Sequence, residues 1–178
     1  MQQRQYKDRS EAGHALAEEL TAYRGAQDAV VYGLARGGVP VAAIVARELG
    51  LPLEVLMVRK VGAPGDPKLA AGAVTSVGRM VVNERVVRSM GVSEEDLERR
   101  ASAEREELES QSAEIHGDRE RISPDGRTVL LVDDGLATGA SMEAAVRAAQ
   151  ESGARQVVVG VPVASSEAVE RVRAAADA

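Results

Sequence analysis

The stretch Thr-Val-Leu-Leu-Val-Asp-Asp-Gly-Leu-Ala-Thr-Gly-Ala-Ser-Met, from Thr128 to Met142, constrains this chain more than any other. Thr128 to Val132 is an unbroken apolar, β-branched run, which suits a strand buried on both faces. Asp133 and Asp134 follow where that strand would leave the sheet. Gly135, Ala137, Thr138, Gly139, Ala140 and Ser141 come next, and an alanine-rich helical pattern begins at Met142. Small residues let a backbone approach a ligand closely, and amides at a helix N-terminus point toward an anion. The stretch therefore reads as strand, acidic pair, phosphate cradle and helix. The carboxylates would accept hydrogen bonds from sugar hydroxyls while the amides, Thr138 and Ser141 hold a phosphate.

Other readings compete for the same residues. A Walker loop is excluded because no Gly-Lys-Ser/Thr follows at the required spacing, and Gly135 and Gly139 do not make Gly-x-Gly-x-x-Gly. An Asp-Asp pair at a strand end could hold magnesium in a phospho-acceptor domain, but that leaves the Thr-Gly-Ala-Ser cradle unexplained. An ordinary strand-to-helix turn accounts for either glycine alone, not for the whole string.

A second turn of this kind lies upstream. Val30 to Leu34 reads as a strand, followed by Ala35-Arg36-Gly37-Gly38-Val39-Pro40. Pro40 suits a first helical turn and Gly50 a helix end, with Val41, Ile44, Val45 and Leu49 facing inward. Two adjacent glycines beside an arginine offer amides plus a guanidinium to an anion. Alone, this would be a tight turn with a surface arginine. Beside the later cradle it gains weight, because a substrate with two phosphate groups needs two such sites. Leu53 to Val58 reads as the second strand, delivering Arg59 and Lys60 at its end. Gly62 to Lys68 is broken by glycine and proline and reads as a mobile loop.

The remaining segments set the architecture. Asp8-x-x-Glu11 resembles a capping box opening a helix to about Tyr23, with Ala12, Leu16, Leu20 and Tyr23 as its buried stripe. Ala70–Thr75 and Arg79–Asn83 alternate around Ser76-Val-Gly78, which predicts a hairpin. Ser93 opens a long charged helix to about Ile115, with a narrow stripe of Leu97, Ala101, Leu108 and Ile115 and an otherwise solvated face. A linker with Pro124 and Gly126 returns to the central strand. Met142–Glu151 is a helix ended by Gly153, Gln156–Val161 a buried strand, and Ser165 or Ser166 caps a last helix. The alternation predicts an α/β fold with a mainly parallel sheet flanked by helices. The small β-hairpin and the long charged helix are inserted before the central strand.

Composition narrows the classes. At 178 residues one domain over 1–178 is expected. No run approaches the ~20 apolar residues of a membrane span, and the polar N-terminus shows no signal peptide. The absence of cysteine excludes disulfides and thiolate metal sites and fits a reducing, cytoplasmic setting. A net charge of −6 argues against a nucleic-acid surface. His14 and His116 lack metal-ligand spacing; His14 is expected on a helix surface and His116 in solvent. With no Phe or Trp and only Tyr6, Tyr23 and Tyr32, few aromatic faces exist on which a flat base could stack.

Val132-Asp-Asp-Gly-Leu-Ala-Thr-Gly-Ala-Ser141 resembles the phosphoribosyl-pyrophosphate motif of type I phosphoribosyltransferases. Gly33-Leu-Ala-Arg-Gly-Gly-Val39, Val58-Arg-Lys-Val-Gly-Ala-Pro-Gly65, Gly72-Ala-Val74 and Val161-Pro-Val-Ala-Ser165 resemble the branch of unassigned substrate. The resemblance covers nearly the whole chain. It implies transfer of a phosphoribosyl group from phosphoribosyl pyrophosphate, with Mg²⁺, to a nitrogenous base or amine, releasing pyrophosphate. Asp133, Asp134 and Lys60 would be catalytic, and the two aspartates would reach the metal mostly through the substrate. Arg36, Gly37, Gly38 and Arg59 would hold pyrophosphate, and Gly135, Ala137, Thr138, Gly139, Ala140 and Ser141 the ribose 5-phosphate.

Two departures stand out. This branch continues past the last helix with another strand and an aromatic-containing tail, whereas this sequence stops at Ala178, and Lys68 stands where the branch has an acidic residue. Enzymes acting on 6-oxopurines resemble Asp-Thr-Gly where this chain has Ala137-Thr-Gly, which disfavours that acceptor class. A homodimer is compatible with the resemblance. The alternatives are a non-catalytic phosphoribosyl-pyrophosphate-binding regulator, or a subunit whose charged helix docks a partner.

Overall fold

The two apolar runs that mark buried strands lie side by side at the centre of the molecule. In the computed structural model, which describes residues 5–178, the chain opens with α1 (Arg9–Glu19), β1 (Ala29–Leu34), α2 (Gly38–Leu49) and β2 (Leu53–Leu56). β3 (Val58–Ala63), β4 (Asp66–Thr75), β5 (Val81–Val82), α3 (Glu84–Met90) and α4 (Glu94–His116) come next. The chain then runs through β6 (Thr128–Val132), α5 (Ala140–Glu151), β7 (Gln156–Gly160) and α6 (Ser166–Arg173).

The fold is α/β. Its main sheet is wholly parallel, in the order β2-β1-β6-β7. Every residue of β1 and β6 is buried, because helices cover both faces. Alternate side chains point oppositely. Val31, Leu130 and Val158 meet Leu16, Val45 and Leu49 of α1 and α2, while Val30, Leu131 and Val157 meet Met142, Val146 and Val172 of α5 and α6. A smaller antiparallel sheet, β3-β4-β5, packs with α3 and α4 around a third core that includes Val61, Val74, Leu97 and Leu108. Among the described residues no helix is long and apolar enough to cross a membrane.

Local chemistry sets the ends. The Asp8 carboxylate accepts from the Glu11 N–H at 2.9 Å and opens α1, while the Glu11 carboxylate accepts from the N–H of Lys7 at 2.7 Å. Ser93 Oγ caps α4 by accepting from the Asp96 N–H at 3.1 Å. Ser165, not Ser166, caps α6, accepting from the Ala168 N–H at 3.1 Å.

Several expectations are corrected. The second strand stops at Leu56, and Met57 carries the chain from the main sheet into the small one, so Val58 begins β3. The expected loop at 62–68 is mostly strand: Ala63 pairs with Asp66 across a two-residue Pro64-Gly65 turn, which Gly65 makes with φ 79°. The hairpin around 76–78 forms as expected, with Gly72 opposite Val82. α5 begins at Ala140, two residues before Met142. A short helix, α3, follows the hairpin with Asn83 accepting from the Val86 N–H at its start. Ile115 is exposed, whereas His116 is buried. Its Nε2 meets the carboxylate of Glu54, a residue only 2% exposed, and its Nδ1 donates to the Ser112 carbonyl at 2.8 Å. Glu54 also accepts from the N–H groups of Val55 (2.8 Å) and Ile122 (2.9 Å). Burial alone would raise its carboxyl; the Ile122 N–H, then His116 and the Val55 N–H, outweigh that and hold it below the usual range.

Candidate active site

From β1 the chain passes to β2 on one side, and later returns to place β6 on the other side of β1. Crevices in such sheets open at this reversal, beyond the carboxyl ends of the strands. Here β1 delivers Arg36, Gly37 and Gly38 and β6 delivers Asp133 and Asp134, so the two sequence motifs converge. Their packing explains the glycine pair. A Cβ on Gly38 would stand 2.6 Å from the Val132 carbonyl and 2.7 Å from Asp133 Cα, and one on Gly37 would stand 2.6 Å from Asp134 Oδ2. Only bare backbone fits against the acidic pair. The Ala35–Arg36 peptide bond is cis, and the Arg36 side chain is exposed.

The two carboxylates sit in unlike surroundings. Asp133 is half-buried, and its pKa is raised from 3.8 to about 6. Burial is the main cause and the charge of Asp134 a further one, against the Asp134 N–H that donates to Asp133 Oδ1 at 2.8 Å. Asp134 instead receives a guanidinium. Arg9 of α1 donates to its Oδ2 through both Nε (2.9 Å) and an Nη (2.6 Å). Sequence reasoning missed Arg9, since the two residues lie 125 positions apart and a lone arginine in a polar segment carries no local signal.

The cradle is braced from below. Leu136 bridges to Ala164, its N–H donating to Val163 at 3.0 Å, and Ser165 Oγ donates to the Ala137 carbonyl at 2.6 Å. Gly139 takes φ 73° as the N-cap of α5, a conformation that disfavours a side chain. Ala137, Thr138 and Ser141 are exposed around the start of this 12-residue helix, whose first N–H groups face outward.

A cleft of about 400 Å³ runs beside the cradle, between the small sheet and α5. Ala140 and Ser141 form part of its wall, and Lys60 projects into it. Arg59 is not brought there: the next residue on a strand points the other way, and Arg59 pairs with Glu104 of α4 at 2.7 Å. Among the described residues no group of three or more His, Cys, Asp or Glu side chains could hold a metal. Asp133 and Asp134 offer hard oxygen donors that suit Mg²⁺ when substrate oxygens and water complete its shell.

Comparison with known proteins identifies the family and the fold. Residues 2–177 match the phosphoribosyl transferase domain family. A Mycobacterium tuberculosis protein named "Putative phosphoribosyl transferase" is 41% identical over 172 residues, 97% of this chain. The chain spans only 39% of that relative's length. The crystal structure of TT1426 from Thermus thermophilus is 48% identical with a TM-score of 0.85, over 97% of this chain and 82% of that one. An APRTase from Giardia lamblia, crystallised with 9-deazaadenine, shares the fold alone: TM-score 0.51 at 19% identity, over 92% of this chain and 74% of its own. The chain therefore belongs to the phosphoribosyl transferase domain family and has the fold of type I phosphoribosyltransferases.

Proposed function

We propose that this chain transfers the phosphoribosyl group of phosphoribosyl pyrophosphate to a nitrogen acceptor. The observation that carries the reading is the contact of the Gly37-Gly38 turn with Asp133 and Asp134, which joins one anion-binding turn to the acidic strand end that leads into the other. In the reaction the acceptor nitrogen's lone pair forms a bond to C1 of the ribose. The C1–O bond breaks and its electron pair leaves with pyrophosphate; an acceptor nitrogen that carried a hydrogen then gives that proton to water or to pyrophosphate, whereas a pyridine-type nitrogen keeps the positive charge. Charge must be managed at both ends of that breaking bond.

Arg36 and the Gly37 and Gly38 amides stabilise the departing pyrophosphate, with Lys60 approaching from β3. Asp133 and Asp134 orient the ribose hydroxyls and lie close to the positive charge that develops on the sugar. Thr138, Gly139, Ala140 and Ser141 hold the 5-phosphate at the head of α5, with Gly135 and Ala137 keeping the backbone open to it. Mg²⁺, when bound, neutralises the pyrophosphate and is held chiefly by substrate oxygens beside the two aspartates. Calorimetry with phosphoribosyl pyrophosphate and Mg²⁺, followed by pyrophosphate release across an acceptor panel, tests the reading. Tight binding with release on one acceptor is expected. Absence of binding refutes the proposal, and binding without release on any acceptor favours the regulatory alternative.

A further inference from the structure

The cleft beside the cradle has a charge pattern of its own. Besides Lys60 it is lined by Arg85 from α3, Arg147 from α5 and Arg171 from α6. Against these four cations stand Glu84 and Glu143. Arg147 and Arg171 are already engaged: Glu143 meets Arg147 at 2.8 Å and Arg171 at 3.9 Å, and Arg171 also meets Glu167 at 3.7 Å. Lys60 and Arg85 have no carboxylate within ion-pair distance among the described residues. The rest of the wall is small and aliphatic, including Val58, Ala73, Val81 and Ala144. No lining residue is aromatic.

We infer that this cleft is the acceptor site and that it selects an acceptor bearing an anionic group. The inference rests on the donor reading above, because the cleft shares Ala140 and Ser141 with the proposed 5-phosphate cradle and Lys60 with the proposed pyrophosphate site. Its volume lies in the range of small-molecule pockets, enough for one or two rings. A flat acceptor cannot be held here by stacking on an aromatic face. A guanidinium supplies both a planar surface and a fork that matches a carboxylate, and Arg85 is the one without a competing carboxylate. An uncharged base would leave Arg85 without a counter-charge.

Matched acceptors isolate the anionic group: nicotinate against nicotinamide, and orotate against uracil. Each is titrated onto the full chain saturated with ribose 5-phosphate and Mg²⁺, which fills the cradle without permitting turnover. The carboxylates are expected to bind about ten-fold or more tightly than their neutral partners. Arg85→Ala should remove most of that preference while sparing nicotinamide and uracil, and Arg85→Lys should restore part of it. Equal binding within both pairs, no binding by either carboxylate, or a loss in Arg85→Ala shared by charged and neutral ligands overturns the inference. A separate titration of wild type with phosphoribosyl pyrophosphate keeps the two levels apart. Failure there refutes the donor reading, whereas normal donor binding without carboxylate preference refutes the acceptor assignment alone.

Discussion

Asp133→Asn should make the folded protein more stable and the site worse. The folded state holds the Asp133 proton more tightly than the unfolded chain, since its pKa rises from 3.8 to about 6. Above pH 6 the native protein therefore keeps an unwelcome charge, and the destabilisation fades as pH falls through 6 toward 3.8. At ~1.36 kcal/mol per pH unit the full difference is about 3 kcal/mol, and partial solvent screening of this half-buried group reduces it to roughly 1.5 kcal/mol. Asparagine removes the charge and leaves an oxygen to accept the Asp134 N–H now bonded at 2.8 Å. Because the chain has no tryptophan, urea unfolding is best followed by far-ultraviolet circular dichroism. At pH 7.5 the variant should gain about 1–1.5 kcal/mol over wild type, and by about pH 4 the gap should shrink to less than half. Donor affinity should fall about ten-fold or more at pH 7.5, as a charged hydrogen-bond acceptor is lost. A variant no more stable than wild type at pH 7.5, or a gap unchanged at about pH 4, would refute the reasoning.

Three further outcomes follow from the geometry. Gly38→Ala drives a methyl into main-chain atoms of β6 and should cost about 1–3 kcal/mol in urea melts, whereas Gly37→Ala meets only the Asp134 side chain and should cost less. Arg36→Ala should weaken phosphoribosyl pyrophosphate about ten-fold or more but leave ribose 5-phosphate nearly unchanged in parallel titrations, and Arg36→Lys should recover little; equal losses for both ligands would point to general charge. Glu54→Ala strands buried His116 and two main-chain N–H groups and should cost about 3–5 kcal/mol in the same melts, so a loss below ~1 kcal/mol would show that the cluster is dispensable.

Much of the fold and of the candidate site was legible because their signals are local. The apolar run of β6, the glycine turns and the Ser93 cap each span a few consecutive residues, the charged stretch of α4 runs unbroken along one helix, and the structure reproduces these elements closely. The errors arose where distant residues decide. Leu53 to Val58 is uniformly strand-like, and only the existence of a second sheet divides it at Met57. Pro64-Gly65 could have been recognised as a hairpin turn, but the glycines and prolines around it hid the strand pattern. α3 is short and charged, although Asn83 and Gly91 marked both its ends. His116 looked solvated because Glu54, its partner, lies 62 residues away, and Arg9 reaches Asp134 across a larger gap.

The segment between α4 and β6 has no regular structure around Ile122, yet it is fastened at that residue by two side chains. Glu54 takes the Ile122 N–H, and the buried Tyr32 hydroxyl donates to the Ile122 carbonyl. Both fastenings grip main chain, so the side chain at 122 is read only by shape, where it packs at the margin of the α5–α6 core. In a diverging lineage this position could drift among aliphatic residues without loosening the linker. Proline alone would be barred on chemical grounds, having no N–H to give. The constraint on this linker is thus written at Tyr32 and Glu54, in strands far from it in sequence.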